Sequence, residues 1–166
     1  MNEHNVQHSI SLLVSNKPGV LIRIALVFSR RGYNLDSVVV SPTHNSAYSR
    51  MNLVARGNKE TLSQIIKQLA KLVDVIHVAD HTGEDIIEGE LLFIKVRCSP
   101  EQRTELLQIA DHFKARSVDL TGDSITFEAT GKTAKLNAFQ AMLEQYGILE
   151  SVRSGKLIMA RGTQAT

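Results

Sequence analysis

Residues 7–29 read QHSISLLVSNKPGVLIRIALVFS, and the change of hydrophobic period inside this stretch decides the fold. From Gln7 to Ser15, the residues His8, Ile10, Leu12 and Val14 alternate with Ser9, Ser11, Leu13 and Ser15, the pattern of a half-buried strand. After Asn16-Lys17-Pro18-Gly19 the spacing changes. Val20, Leu21, Ile24, Val27 and Phe28 now fall on one stripe of an amphipathic helix ending at Gly32. Pro18 suits a first helical turn, where its missing N–H leaves no intrahelical bond unmade. Working outward, Leu35 to Val40 is apolar and largely β-branched, Pro42 to Ser46 is a loop and Tyr48 to Arg56 alternates again, predicting an antiparallel hairpin. Asn58 is placed to cap a second helix carrying Leu62, Ile65, Ile66, Leu69 and Leu72, and Asp74 to Asp80 closes the set as a strand.

Strand, helix, strand, strand, helix, strand is the order of a ferredoxin-like βαββαβ domain, with both helices on one face of an antiparallel sheet. Leu13, Val38, Val40, Leu53 and Ile76 or their neighbours are expected on the other face. That face is too apolar for water and calls for a cover, by dimerisation or by docking of another domain. Residues 82–89, with Thr82-Gly83-Glu84-Asp85 and Glu88-Gly89, read as an acidic linker. Beyond it the order repeats. Leu91 to Cys98 is a strand, Ser99-Pro100-Glu101-Gln102 a capping box with Pro at the first helical position, and Leu106 to Phe113 a helix. Thr121-Gly122-Asp123-Ser124 turns a hairpin; Leu136, Phe139, Leu143 and Tyr146 mark a helix stopped at Gly147; Ile148 to Val152 and Leu157 to Ala160 are the last strands. The expected class is α+β, two consecutive ferredoxin-like domains at 1–81 and 90–166.

Composition agrees with a folded chain of this size: 166 residues, 43% hydrophobic and 22% charged. Nineteen basic residues (Lys and Arg) against 17 acidic ones leave +2, so neither nucleic acid nor an anionic membrane is an expected partner. No apolar run approaches the roughly 20 residues of a membrane span, and Met1 to Asn5 shows no basic segment leading into an apolar one. The expected location is cytoplasmic. The lone Cys98 sits in an alternating run and reads as a small buried hydrophobe.

Catalytic patterns are missing. Gly131-Lys132-Thr133 resembles the end of a phosphate-binding loop, but Thr126 stands where the first glycine is needed. His77 and His81 are four apart at a strand end, a spacing that suits solvated histidines rather than a metal pair. An RNA-binding module shares the βαββαβ order, but its central strands carry stacking aromatics, and here residues 8–14 have none and the third strand only Tyr48. The informative chemistry is at the strand-to-helix turn. A helix N-terminus offers unpaired amides and partial positive charge to a carboxylate; Gly19 admits close approach, Asn16 can both donate and accept, and Val20 and Leu21 can touch an aliphatic group. From these residues alone a tight turn in which Asn16 only caps the helix is favoured over a ligand site, and both readings stay open.

The strand followed by Asn16-x-x-Gly19-x-Leu21 and a helix resembles an ACT domain, a small regulatory module. Phe28-Ser29-Arg30-Arg31-Gly32-Tyr33-Asn34, Ser49-Arg50-Met51, Lys71-Leu72-Val73-Asp74-Val75, Glu90-Leu91-Leu92-Phe93-Ile94-Lys95-Val96, Val118-Asp119-Leu120 and Arg153-Ser154-Gly155 are similar to the regulatory small subunits of acetolactate synthase (acetohydroxyacid synthase). The resemblance implies a homodimeric, non-catalytic subunit of branched-chain amino acid biosynthesis. It would activate a large catalytic subunit and transmit feedback inhibition by valine. Thiamine diphosphate, Mg and FAD would belong to the large subunit, with no cofactor or metal in this chain. By the same resemblance valine lies between two ACT domains, held by Asn16 and the amides of Gly19, Val20 and Leu21, with Asn34 and Leu35 reaching in from the partner chain.

Overall fold

The computed structural model describes residues 6–166. The reading of Met1 to Asn5, and the first residues of the 1–81 domain, fall outside the described residues. The chain divides into two compact units, Met1–Ile87 with Lys156–Thr166, and Glu88–Gly155.

In the first unit the elements are β1 (Val6–Ser15), α1 (Val20–Ser29), β2 (Asn34–Pro42), β3 (Tyr48–Gly57), α2 (Lys59–Leu69) and β4 (Val75–Asp80). The strands form one antiparallel sheet in the order β2-β3-β1-β4. Alternation along β1 and β3 turns Ile10, Leu12, Val14, Met51, Leu53 and Ala55 to one side. There they pack against Val20, Ile24 and Phe28 of α1 and Leu62, Ile65 and Leu69 of α2. The cap read at Asn58 is present, its Oδ1 accepting from the Thr61 N–H at 2.8 Å.

Two expectations about the opposite face change. Leu53 is fully buried in the core, because register pairs it with inward-facing Ile10. Val38 and Val40 pair with Leu53 and Met51 and therefore share the helix side, remaining exposed because β2 is an edge strand. The helix-free face consists of cross-strand rows: Ser37, Val54 and Ser9; Val39, Asn52 and Ser11; Ser41, Arg50 and Leu13. Ser11, Asn52 and Val54 are buried although no helix covers them.

Two residues of this face, Ser37 and Arg50, are hydrogen-bonded to the segment 156–166. Residues 156–166, read from the sequence as the last part of the 90–166 domain, group with the first unit. The Lys156 N–H donates to Ser37 Oγ at 3.1 Å, and Arg50 donates to the Thr166 carbonyl. Periodicity at Leu157 to Ala160 correctly announces a strand, β9 (Leu157–Met159), which pairs with β5 (Ile87–Arg97).

The second unit repeats the topology with β5 (Ile87–Arg97), α3 (Arg103–His112), β6 (Arg116–Leu120), β7 (Ser124–Gly131), α4 (Thr133–Leu143) and β8 (Ile148–Arg153), in the sheet order β6-β7-β5-β8. β5 begins at Ile87, inside the stretch read as linker. Leu92, Ile94, Val96, Ile125, Phe127 and Ala129 of the sheet pack on Leu106, Ala110, Leu136, Phe139 and Leu143 of the helices. The capping box appears in altered form. Gln102 Oε1 accepts from the Ser99 N–H at 3.2 Å, closing a separate turn, and α3 starts only at Arg103.

Candidate functional site

The junction of β1 and α1 is built by contacts that fix the turn from outside. The Asn16 N–H donates to the Ala47 carbonyl at 2.8 Å, and its Nδ2 donates to the Ser46 carbonyl at 2.9 Å. Asn16 is therefore tied to the loop between β2 and β3, and it does not cap α1. The N-cap is Gly19, left-handed at φ 82°, with no side-chain cap and no acidic residue in the first turn. First-turn amides, those of Leu21 and Ile22 among them, are left without a capping acceptor and favour an anion there.

The space that glycine leaves open has a resident. A Cβ at Gly19 would stand 3.2 Å from Arg23 Nη1, while Arg23 Nη2 binds Asp74 Oδ2 at 2.5 Å. The Asp74 carbonyl accepts the Ser15 N–H at 2.8 Å, so the pair joins α1 to the end of β1. Arg23 reaches the turn as the residue one helical turn after Gly19, whereas only the fold brings Asp74 to it.

Of the residues singled out from sequence, Asn16, Gly19, Val20 and Leu21 stand together here. Val20 is 4% exposed and belongs to the core, so it can offer a ligand only its backbone; Leu21, 44% exposed, can offer its side chain. Asn34 and Leu35 begin β2, beyond the far end of α1. Ten helical residues at about 1.5 Å rise separate the two segments by about 15 Å. One chain alone does not bring them together. Asn34 is exposed and donates from Nδ2 to Asp36 Oδ1 at 3.1 Å, whereas Leu35 packs against the core.

His81 departs from the solvated histidine that was expected. It is 5% exposed, with Nε2 at 2.8 Å from Ser11 Oγ and Nδ1 at 2.8 Å from Glu84 Oε2. Both ring nitrogens are engaged, and no metal-holding cluster of His, Cys, Asp or Glu occurs among the described residues. Cys98 is buried and unbridged. No helix among the described residues is long and apolar enough to cross a membrane.

Comparison with known proteins covers both units. A model of the AHAS small subunit-like ACT domain matches residues 10–77, and a model of the small subunit of acetolactate synthase matches residues 89–162. A probable acetolactate synthase small subunit of Archaeoglobus fulgidus is 43% identical over 96% of this chain and 99% of its own length. The acetolactate synthase small subunit of Mycobacterium leprae is 39% identical over 93% and 92%. Among solved structures, the acetolactate synthase small subunit of Thermotoga maritima superposes with a TM-score of 0.86 at 34% identity, covering 96% of this chain and 99% of that one. With both halves matched in sequence and the βαββαβ pair matched in space, the chain belongs to the acetolactate synthase small subunit family.

Proposed function

We propose that this chain is a non-catalytic regulatory subunit of branched-chain amino acid biosynthesis that activates the large catalytic subunit of acetolactate synthase and confers feedback inhibition by valine. The observation that carries the reading is the near-full-length likeness to acetolactate synthase small subunits across both units. The uncapped start of α1 supports it, since a helix end without a capping acceptor suits a carboxylate. In this reading two copies form the functional dimer, thiamine diphosphate, Mg and FAD reside in the large subunit, and the protein works in the cytoplasm. Valine would be held by Asn16 Oδ1 and the first-turn amides of Gly19, Val20 and Leu21, its aliphatic group against Leu21. Asn34 of the second copy would complete the site, and Leu35 would shape it from beneath. For valine to inhibit, it must bind one arrangement of the holoenzyme better than another.

The test is calorimetric titration of the purified chain with L-valine and D-valine, followed by reconstitution with a catalytic subunit. Saturable binding of the L isomer alone is expected. Gly19→Asp sets a carboxylate where the ligand's own would lie, and should abolish binding and inhibition while activation persists. Asn16→Ala, a milder change, should weaken both. Full valine sensitivity in the Gly19→Asp protein would overturn the site, and failure of the chain to activate any acetolactate synthase would overturn the function.

A further inference from the structure

In the second unit two opposite charges face one cleft at the end of the central strand. Where β5 ends, the Arg97 N–H donates to the Gly147 carbonyl at 3.0 Å and the Cys98 N–H to the Asp123 carbonyl at 2.9 Å. The chain is thus held between the residues that precede β7 and β8 before it turns into α3. The cleft at this place measures about 670 Å³, and its lining includes Arg97, Pro100, Gly122, Asp123, Tyr146 and Leu149. That is within the roughly 300–1,000 Å³ of small-molecule sites. Gly147 has a left-handed φ of 85°, and a Cβ there would stand 3.4 Å from Arg97 Cδ, so the arginine stem runs past a position without a side chain.

Neither charge is neutralised inside the protein. Among the described residues the Arg97 guanidinium has no hydrogen-bond or ion-pair partner, and the Asp123 carboxylate receives only the Thr121 hydroxyl, 2.9 Å from Oδ1. The two side chains line the same cleft without pairing with each other. Buried Tyr146 and half-exposed Leu149 add an aromatic and an aliphatic side chain to it. The Tyr146 hydroxyl oxygen is shielded from solvent and closes no hydrogen bond among the described residues. Burial raises its pKa and the Glu105 carboxylate raises it further, so the hydroxyl stays protonated.

A free cation and a free carboxylate on one cleft are the complement of a zwitterion. A ligand with only a carboxylate would meet Asp123 as a like charge, and one with only an amine would meet Arg97 as a like charge. We propose that this cleft is an amino-acid site of the second unit, taking an α-amino acid with an aliphatic side chain. The ligand carboxylate pairs with Arg97, the ammonium with Asp123, and the hydrocarbon group lies against Leu149 and Tyr146. The site stands at the β5–α3 junction, the place in the repeat that Asn16 to Leu21 hold in the first unit, but it uses charged side chains where that turn offers backbone amides. It is built within one unit of one chain, and it does not rest on the valine reading above.

NMR titration of the isotope-labelled full chain with L-leucine tests this. Signals of Ser99, Gly122, Asp123 and Leu149 should shift together and saturate. Arg97 and Asp123 are exposed, and Asp123→Asn keeps the oxygen that Thr121 uses, so the variants' spectra away from the cleft should match the native one. Arg97→Gln, and separately Asp123→Asn, should weaken the response at the cleft about tenfold or more, the loss of one charge-assisted pair. Isocaproate, which lacks the ammonium, and isoamylamine, which lacks the carboxylate, should bind there more weakly by a similar factor. Shifts confined to the Asn16–Leu21 junction would overturn the proposal while leaving the valine reading standing, as would a cleft response that Arg97→Gln leaves unchanged. Isocaproate binding as tightly as L-leucine would overturn the assignment to a zwitterion. Cleft shifts that persist in the Gly19→Asp protein would support a site separate from the first.

Discussion

Gly57 shows how a single residue can be constrained without belonging to any motif. Gly57 ends β3, and a Cβ added there would fall inside the ring of Tyr33, which is 9% exposed and donates its hydroxyl to the Asn58 carbonyl. At 2.1 Å from Tyr33 Cζ, the added carbon requires something to shift. Gly57→Ala should therefore destabilise the protein by about 1–3 kcal/mol, the usual result of overpacking. Gly89→Ala, where the new carbon meets nothing within 4 Å, should change stability by no more than about 0.5 kcal/mol. Urea unfolding of both variants checks this, and equal stabilities would contradict it. The sequence marks Gly19 because a turn and a helix flank it, but offers no such signal at Gly57, whose constraint comes from a ring 24 positions away. His81 is hidden for the same reason: its partner Ser11 lies on another strand.

At the scale of elements, periodicity was enough to place strands and helices, while their ends depended on caps. α2 begins at a side-chain cap and carries Glu60 in its first turn, favourable to the helix dipole; α1 has neither. Asn58→Ala should cost about 1 kcal/mol by thermal or chemical unfolding, since the Thr61 N–H loses its acceptor. A variant as stable as the native protein would show that the cap contributes nothing. α1 tolerates its open end because Val20, Ile24 and Phe28 are buried, so packing rather than capping holds it. That leaves its N-terminus available to a ligand. The capping box at Ser99 was legible as a motif but not as a boundary: its hydrogen bond closes a turn, and the helix follows at Arg103.

For the whole molecule, the two hydrophobic cores share no residue. Phe139 is fully buried in the second, edge-on to Phe127 at a centroid distance of 5.9 Å. Phe139→Ala should cost about 3–5 kcal/mol and act on the unfolding of the second unit. Differential scanning calorimetry should show one transition lowered and the other left in place; a single transition moving as a whole would mean that the units unfold together.

The sequence by itself determined the α+β class, the βαββαβ order of each half, the inward faces of β1 and the helices, and the family. It also marked the junction from Asn16 to Leu21, because alternation, helical spacing and turn chemistry are written in neighbouring residues. Only the tertiary structure decided that Asn16 holds the loop before β3 instead of capping α1, that Asp74 holds Arg23 beside Gly19, and that Ser37 and Arg50 are bonded to the segment 156–166. Each of these depends on a partner distant in sequence. Local pattern fixes which face of an element is apolar, but the hydrogen-bond partner or segment that meets that face is selected by the packing of the whole chain.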